Sequence, residues 1–278
     1  MRRRVTVRNA TFQQWETLLT NRTKRHRAGH VLVQGVRPLT VALESGLTVR
    51  EWLVDGDRTL SVWASELTAR VRAPRFDVAP ELMRELGGKD DAAPEVLAVV
   101  ALPDDDLSRV PARAASDGAP LLAVALDRPT SPGNVGTVAR SVDAFGAHGV
   151  VVTGHAADPY DPKAVRASTG SVFAVPVVTA ASASEVVERF GAARPAGSGP
   201  MQVVGTDEDG DLDLADVDLT LPTLVVTGNE ARGLSAQWRE ACDVVARIPM
   251  QAKAASSLNM ASATAVVLYE ALRQRERT

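Results

Sequence analysis

Three polar constellations in the C-terminal half of the chain stand where an apolar strand pattern gives way to a loop. The first is Leu126-Asp-Arg-Pro-Thr-Ser-Pro-Gly-Asn134-Val-Gly-Thr-Val-Ala-Arg140. Pro129, Pro132 and Gly133 tighten the loop, Asn134 is a natural helix N-cap, and Arg140 falls between apolar Val138 and Val142. Its plainest reading is a capped helix with one surface arginine. The second is Val225-Val-Thr-Gly228-Asn-Glu230-Ala-Arg-Gly233-Leu-Ser235. Two glycines bracket a carboxylate, which implies unusual backbone or close approach to something else, and Ser235 caps the next helix. The third runs from Ile248-Pro-Met250 to Ser256-Ser-Leu-Asn259 and into a helix of small residues, Ala261 to Ala265. Pro249 ends a strand, and Ser256 or Ser257 sits where an N-cap belongs. A helix docking on a sheet explains Leu268 to Arg277. It does not explain polar Ser257 and Asn259 on either side of Leu258. Turns at the carboxyl ends of parallel strands are where open α/β sheets bind ligands, so all three should converge on one edge.

Several chemistries are excluded. No G-x-G-x-x-G follows a strand and no G-K-[ST] loop occurs, against dinucleotide enzymes and nucleotide hydrolases. Asp207-Glu-Asp-Gly-Asp-Leu-Asp looks like a calcium loop, but its glycine is at the fourth position rather than the sixth. His26, His30, His148 and His155 have no ligand spacing with Cys242, so no metal is expected. The single cysteine rules out an internal disulfide and reads as an inert core thiol. No apolar segment follows the N-terminal arginines to make a signal peptide, and no run approaches the ~18 apolar residues of a membrane span. No membrane association and a cytoplasmic location are expected.

The elements that must position these residues are short apolar strands alternating with helices. The strand patterns are Leu121–Leu126, Val150–Thr153, Val175–Val178, Gln202–Thr206, Thr223–Thr227 and Val244–Ile248. Strands without strict polar alternation, separated by helices, indicate a parallel sheet covered on both faces. Residues 1–102 form a smaller α/β domain and residues 121–278 the larger one. Residues 103–120, rich in Pro, Asp, Ala and Ser, read as a linker. Charge is uneven. Residues 1–40 carry nine Arg and Lys against Glu16 alone, leaving −11 for the remainder of a chain whose net charge is −3. A basic end on an acidic protein fits polyanion binding. The run Asn21-Arg-Thr-Lys-Arg-His-Arg-Ala-Gly29, flanked by folded elements, makes Arg22, Lys24, Arg25 and Arg27 the candidate nucleic-acid contacts, with Arg128 and Arg166 as further phosphate contacts.

Together the motifs resemble the SPOUT superfamily, and within it the TrmH/SpoU type of RNA ribose 2′-O-methyltransferase. The resemblance rests on Asn134 six residues before Arg140, on Gly228-Asn-Glu230-Ala-Arg-Gly233-Leu-Ser235, and on Ile248-Pro-Met250 with Ser257-Leu-Asn259. The run Val33-Gln-Gly-Val-Arg-Pro38 resembles that family's substrate-binding domain. Phe12-Gln-Gln-Trp15 and Gly154-His-Ala-Ala-Asp158 are similar to members that modify large-subunit ribosomal RNA, of the avilamycin-resistance kind. The resemblance implies an α/β fold with a trefoil knot in the C-terminal domain, S-adenosylmethionine held by backbone at Thr206, Gly228, Ile248 and Leu258, and a homodimer with its active site at the interface. Between Ile248 and Ser257 the chain is one residue longer than the family's usual loop and carries Lys253, which leaves the contacts of Gln251–Ser256 open.

The implied reaction is methyl transfer to a ribose 2′-hydroxyl, the group that distinguishes RNA from DNA. Alignment of such a pair contributes up to roughly 7–11 kcal/mol in the best cases. Asn134, Glu230, Ser257 and Asn259 are assigned to positioning. By resemblance Arg140 is the catalytic residue. A guanidinium stays protonated, so two roles stand open: assisting deprotonation, or clamping a phosphate while stabilising the developing alkoxide. Two other functions compete: a SPOUT enzyme acting on tRNA or on a base, and a non-catalytic RNA-binding module.

Overall fold

The computed structural model describes residues 3–88, 93–193, 199–251 and 257–277. The chain forms two compact units, Met1–Pro103 with Tyr160–Ala174, and Asp104–Pro159 with Val175–Thr278. The first contains β1 (Arg3–Val5), α1 (Ala10–Thr20), α2 (Arg22–Ala28), β2 (His30–Gln34), α3 (Val36–Glu44), β3 (Val49–Asp55), α4 (Val62–Arg70), β4 (Arg75–Val78), α5 (Pro80–Gly87) and β5 (Val96–Ala101). Its sheet has the order β1-β4-β3-β5-β2, with β5 antiparallel to β3 and β2 and the other pairings parallel. Phe12, Trp15 and Leu18 from α1 and Leu82, Met83 and Leu86 from α5 pack on Leu32, Leu53, Phe76 and Leu97 of the sheet. The basic run after α1 is itself a helix. The Asn21 side chain accepts the Lys24 N–H at one end, and Gly29 closes the other in the left-handed conformation.

The second unit begins with α6 (Arg109–Asp117), β6 (Leu122–Asp127), α7 (Pro132–Ala144) and β7 (Gly149–Thr153). The chain then supplies α8 (Pro162–Ala167) and α9 (Ser171–Ala174) to the first unit, where α9 packs on α3. It returns as β8 (Val177–Ala180), α10 (Ala183–Ala192), β9 (Gln202–Thr206), β10 (Leu212–Asp213), β11 (Thr223–Thr227), α11 (Ala236–Ala241), β12 (Val244–Arg247) and α12 (Met260–Arg275). All seven strands are parallel, in the order β10-β12-β9-β11-β6-β7-β8. The linker reading of 103–120 is corrected here. Leu107, Val110 and Ala114 are buried in the core of this unit, and α6 carries the last two. Pro111 is tolerated because the first turn of a helix has no partner for its N–H groups.

The strand ends line up. Leu126, Thr227, Thr206 and Ala246 are successive register partners across β6, β11, β9 and β12. Here the strand order reverses: β7 and β8 lie to one side of β6, and β11, β9 and β12 to the other. Such a switch point leaves a crevice at the carboxyl edge. Helix α12 packs against α7 and β11, burying Met260, Ala261, Thr264, Val267, Leu268 and Ala271. No helix among the described residues is long and apolar enough to cross a membrane.

Candidate active site

A cavity of about 500 Å³ opens at that edge. Thr206, Gly228, Ile248 and Leu258, the four positions assigned to the cofactor, all line it, together with Ser257 and Glu230. Gly228 is required by space. A Cβ there would lie 2.4 Å from the backbone carbon of Gly233, so the loop can fold back on itself only without a side chain. Asp207 and Glu208 add two carboxylates to Glu230, against Arg232 in the lining and Arg239, which pairs with Asp207 from outside it.

Beside the cavity three of the predicted residues form a hydrogen-bonded chain. Asn259, not Ser256 or Ser257, is the N-cap of α12: its Oδ1 accepts from the N–H of Ala261 at 2.9 Å and of Ser262 at 3.4 Å. That fixes the amide orientation, leaving Nδ2 to donate to Asn134 Oδ1 at 3.3 Å. Asn134 Nδ2 then donates to Glu230 Oε1 at 2.8 Å, while Thr130 donates to Glu230 Oε2 at 3.2 Å. Asn134 is therefore not the N-cap of α7. Ser131 is the cap, Pro132 follows it, and Asn134 stands one turn inside with its side chain released for the site. Burial pulls the Glu230 carboxyl pKa up, but the bonds from Asn134, the loop backbone and Thr130 together outweigh it, and the net shift is downward. Glu230 is an ionised acceptor at neutral pH, not a proton donor.

A second network, unforeseen in the motifs, locks the loops that carry these groups. Buried Asp127 accepts from Arg128 Nε and Nη2, both at 2.9 Å, and from the Ser235 N–H at 2.6 Å. Arg128 Nη2 also donates to the Gly233 carbonyl at 3.2 Å, and Asn229 Nδ2 donates to the Arg128 carbonyl at 2.7 Å. Arg128 adopts a positive φ of 51° to do so. Its fork thus ties the first constellation to the second, a role that its expected phosphate contact did not include. The signal that could have revealed Asp127 is a carboxylate closing an otherwise apolar strand.

The remaining predicted residues fall elsewhere. Arg140 is exposed on α7, between buried Ala139 and Val142, and does not line the cavity. Arg25 is buried at 1% exposure, donating to the Leu18 and Leu19 carbonyls with Asp161 at 4.0 Å. It holds the first unit together and is not a surface contact, a second correction. Arg22, Lys24 and Arg27 are exposed on α2, and Arg166 is exposed on α8 in the same unit. The predicted loop contacts at 252–256 lie outside the described residues. Among the described residues no group of three or more His, Cys, Asp and Glu could hold a metal ion.

The family model described as the SpoU rRNA Methylase family matches residues 121–269, the whole span of this site. The chain belongs to that family. A second model, the SpoU L30e-like domain, matches residues 9–98 of the first unit. The 23S rRNA (uridine(2479)-2′-O)-methyltransferase of Streptomyces viridochromogenes is 55% identical over 273 residues, covering 98% of this chain and 93% of that protein. The crystal structure of the SpoU methyltransferase AviRb from the same organism, in complex with the cofactor AdoMet, matches with a TM-score of 0.90 over 97% of this chain and 99% of that one. An AdoMet-bound rRNA methyltransferase from Sinorhizobium meliloti matches with a TM-score of 0.81 at 27% identity, covering 98% of each chain. The resemblance read from three motifs is thus borne out as SpoU membership, and so is the two-part α/β architecture.

Proposed function

We propose that this SpoU protein transfers a methyl group from S-adenosylmethionine to the 2′-hydroxyl of a uridine in 23S ribosomal RNA, in the cytoplasm and as a homodimer. The observation that carries the reading is the placement of a ligand-sized cavity, lined by Thr206, Gly228, Ile248 and Leu258, beside the Asn259–Asn134–Glu230 chain. Ligand pockets span about 300–1,000 Å³, so the volume suits such a cofactor. With Asp207 paired to Arg239, Glu208 and Glu230 remain against Arg232, an acidic lining that suits the cofactor's sulfonium and ammonium charges. When bound, the cofactor supplies the electrophilic methyl. The protein's part is alignment. Gly228 lets backbone close on the ligand, Glu230 and Asn134 present an oriented polar edge, and Ser257 stands at the cavity wall to meet the ribose.

Arg140 is assigned to the reacting nucleotide of the partner protomer's site. Its exposed place on α7, outside its own cavity, supports this, as do the exposed apolar Val266 and Tyr269 on the neighbouring α12. There a guanidinium can grip the adjacent phosphate with two N–H groups and stabilise charge developing on the 2′-oxygen. By the same reading the C-terminal segment is threaded as a trefoil knot, and the methylated nucleotide protects the ribosome from an antibiotic that binds there.

The test is transfer of labelled methyl to unmodified 23S rRNA, followed by digestion to nucleosides, with Arg140→Ala and Arg140→Lys in parallel. Label should appear in 2′-O-methyluridine and be lost in the alanine variant. Lysine should recover little if the fork geometry matters rather than the charge alone. Label confined to tRNA would move the substrate, and cofactor binding with no transfer to any RNA would leave a binding module.

A further inference from the structure

The end of the first unit's sheet opposite to Gln34, Asp55 and Val78 is rich in arginine across β1, β4 and β3. Three of its strands begin there with a cationic side chain in the first or second position: Arg3 on β1, Arg75 on β4 and Arg50 on β3, with His30 opening β2. Helix α4 finishes at the same end with Arg70, and Arg72 follows it; α2 finishes with Arg27. Residues 67–76 hold three arginines and no acid. Glu44, at the end of α3, and Glu51, next to Arg50 on β3, are acidic groups on this end.

Among these groups lies a second cavity, of about 460 Å³, lined by Trp52, Thr68, Val71, Arg72, Pro74 and Arg75. Its construction is specific. Trp52 is buried and donates from Nε1 to the Val71 carbonyl at 3.1 Å, which fixes the chain leaving α4 across the start of β4. The Trp52 N–H donates to the Pro74 carbonyl at 2.8 Å and fixes the other side. Arg75 is braced through Nε by Asp77 at 3.4 Å, while Arg72 is exposed with no ion-pair partner among the described residues. An apolar floor of Val71 and exposed Pro74, backed by buried Trp52, under a rim of two guanidinium groups matches a nucleotide: phosphate on the rim, sugar and base against Val71 and Pro74. Nothing in the methyl-transfer site uses this cavity.

We propose that the Thr68–Arg75 cavity is a second RNA subsite, which holds one nucleotide of the substrate strand while Arg50 and Arg70 take neighbouring phosphates. From β4 to β2 the sheet spans three strand spacings, roughly 14 Å. That distance carries the strand from the cavity past Arg50 toward Arg27, so this edge and the exposed face of α2 form one track. The inference rests on the RNA-methyltransferase reading.

The experiment compares wild type with Arg70→Glu/Arg72→Glu, using unmodified 23S rRNA for binding across a potassium chloride series and for methyl transfer. Both residues are exposed on the first unit, whereas the residues of the transfer site belong to the second, so the loss should fall on KM, with kcat at saturating RNA unchanged. RNA affinity should fall about tenfold or more, and the log–log salt slope should shrink by about 1.4–1.8, the share of two phosphate contacts. An unchanged affinity and slope would overturn the subsite while leaving methyl transfer standing. Failure of the wild type itself to methylate RNA would instead overturn the reading beneath it. Should the double variant fold poorly, a photo-crosslinking phenylalanine analogue at Ala73 of the otherwise native protein decides the matter. RNA captured at that position supports the subsite, and no capture, with a control analogue on exposed α2 crosslinking normally, rejects it.

Discussion

At the scale of single residues the site depends on the direction of one hydrogen-bond chain. Backbone N–H groups at the start of α12 fix Asn259, Asn259 fixes Asn134, and Asn134 meets Glu230 as a donor. Asn134→Asp keeps the shape and reverses one end, placing a second carboxylate against Glu230. We expect kcat to fall by about 10²–10³, the scale of losing one oriented donor, with cofactor affinity retained in calorimetry. Two carboxylates in contact share a proton more readily than either alone, so one pKa of the pair rises. The variant's residual rate should therefore climb, relative to wild type, as pH is lowered from 8 to 5.5. A rate ratio flat across that range would mean that the chain does not set Glu230's environment. In the wild type Glu230 stays ionised over this whole window, because its carboxyl pKa lies below the ordinary 4.5.

At the scale of elements, two contacts hold the sheet to its helices and make separate predictions. His148, before β7, is buried, and its Nδ1 accepts the Leu122 N–H at 2.9 Å. Burial lowers its pKa below the ordinary 6.5, opposed in part by Asp117. A base whose folded pKa is depressed favours the folded state while neutral. Its contribution is complete above 6.5 and is lost as pH falls through 6.5 toward the folded value, with a limiting slope of about 1.4 kcal/mol per pH unit. His148→Asn keeps an acceptor near the Nδ1 position and cannot titrate, so the fall in urea midpoint between pH 7.5 and 5 should be smaller in that variant. Arg275, in the last turn of α12, donates to the carbonyls of Pro120, Leu121, Leu219 and Leu221 at 2.7–3.1 Å. Its removal strands these acceptors, and Arg275→Met should cost about 2–3 kcal/mol in denaturant unfolding. Elements were legible where apolar runs were long, as in β6, β9 and β11. They were obscured where proline and acids broke the pattern, as in α6, or where only one residue of a polar helix turns inward, as Arg25 does in α2. The three constellations were legible because each keeps its order along the chain. Asp127 and Asn229 were not, because what they hold is brought to them only by the parallel sheet.

At the scale of the whole molecule, the homodimer proposed above predicts that each site draws on both chains. The cavity and the Asn134–Glu230 chain belong to one protomer, yet Arg140 is outside that cavity. On α12, Val266 is 40% exposed and Tyr269 57% exposed, the latter set edge-on to Phe145 with ring centroids 6.2 Å apart. An apolar pair on the helix that packs against α7 is the surface a two-fold interface would cover, and a two-fold axis places the same patch of each protomer against its copy. Val266→Glu/Tyr269→Glu should therefore give a monomer in light scattering and abolish methyl transfer; a dimeric, active double variant would remove the interface from this face. Mixing tests the sharing of the site directly. Subunits carrying Arg140→Ala keep Asn134, and subunits carrying Asn134→Asp keep Arg140. If Arg140 serves the partner's cavity, each mixed dimer contains one competent site and one doubly defective site. Random exchange makes about half the dimers mixed, so combining two inactive proteins should restore about a quarter of wild-type activity. If Arg140 serves its own cavity, every site in every mixture carries one defect, and no activity returns.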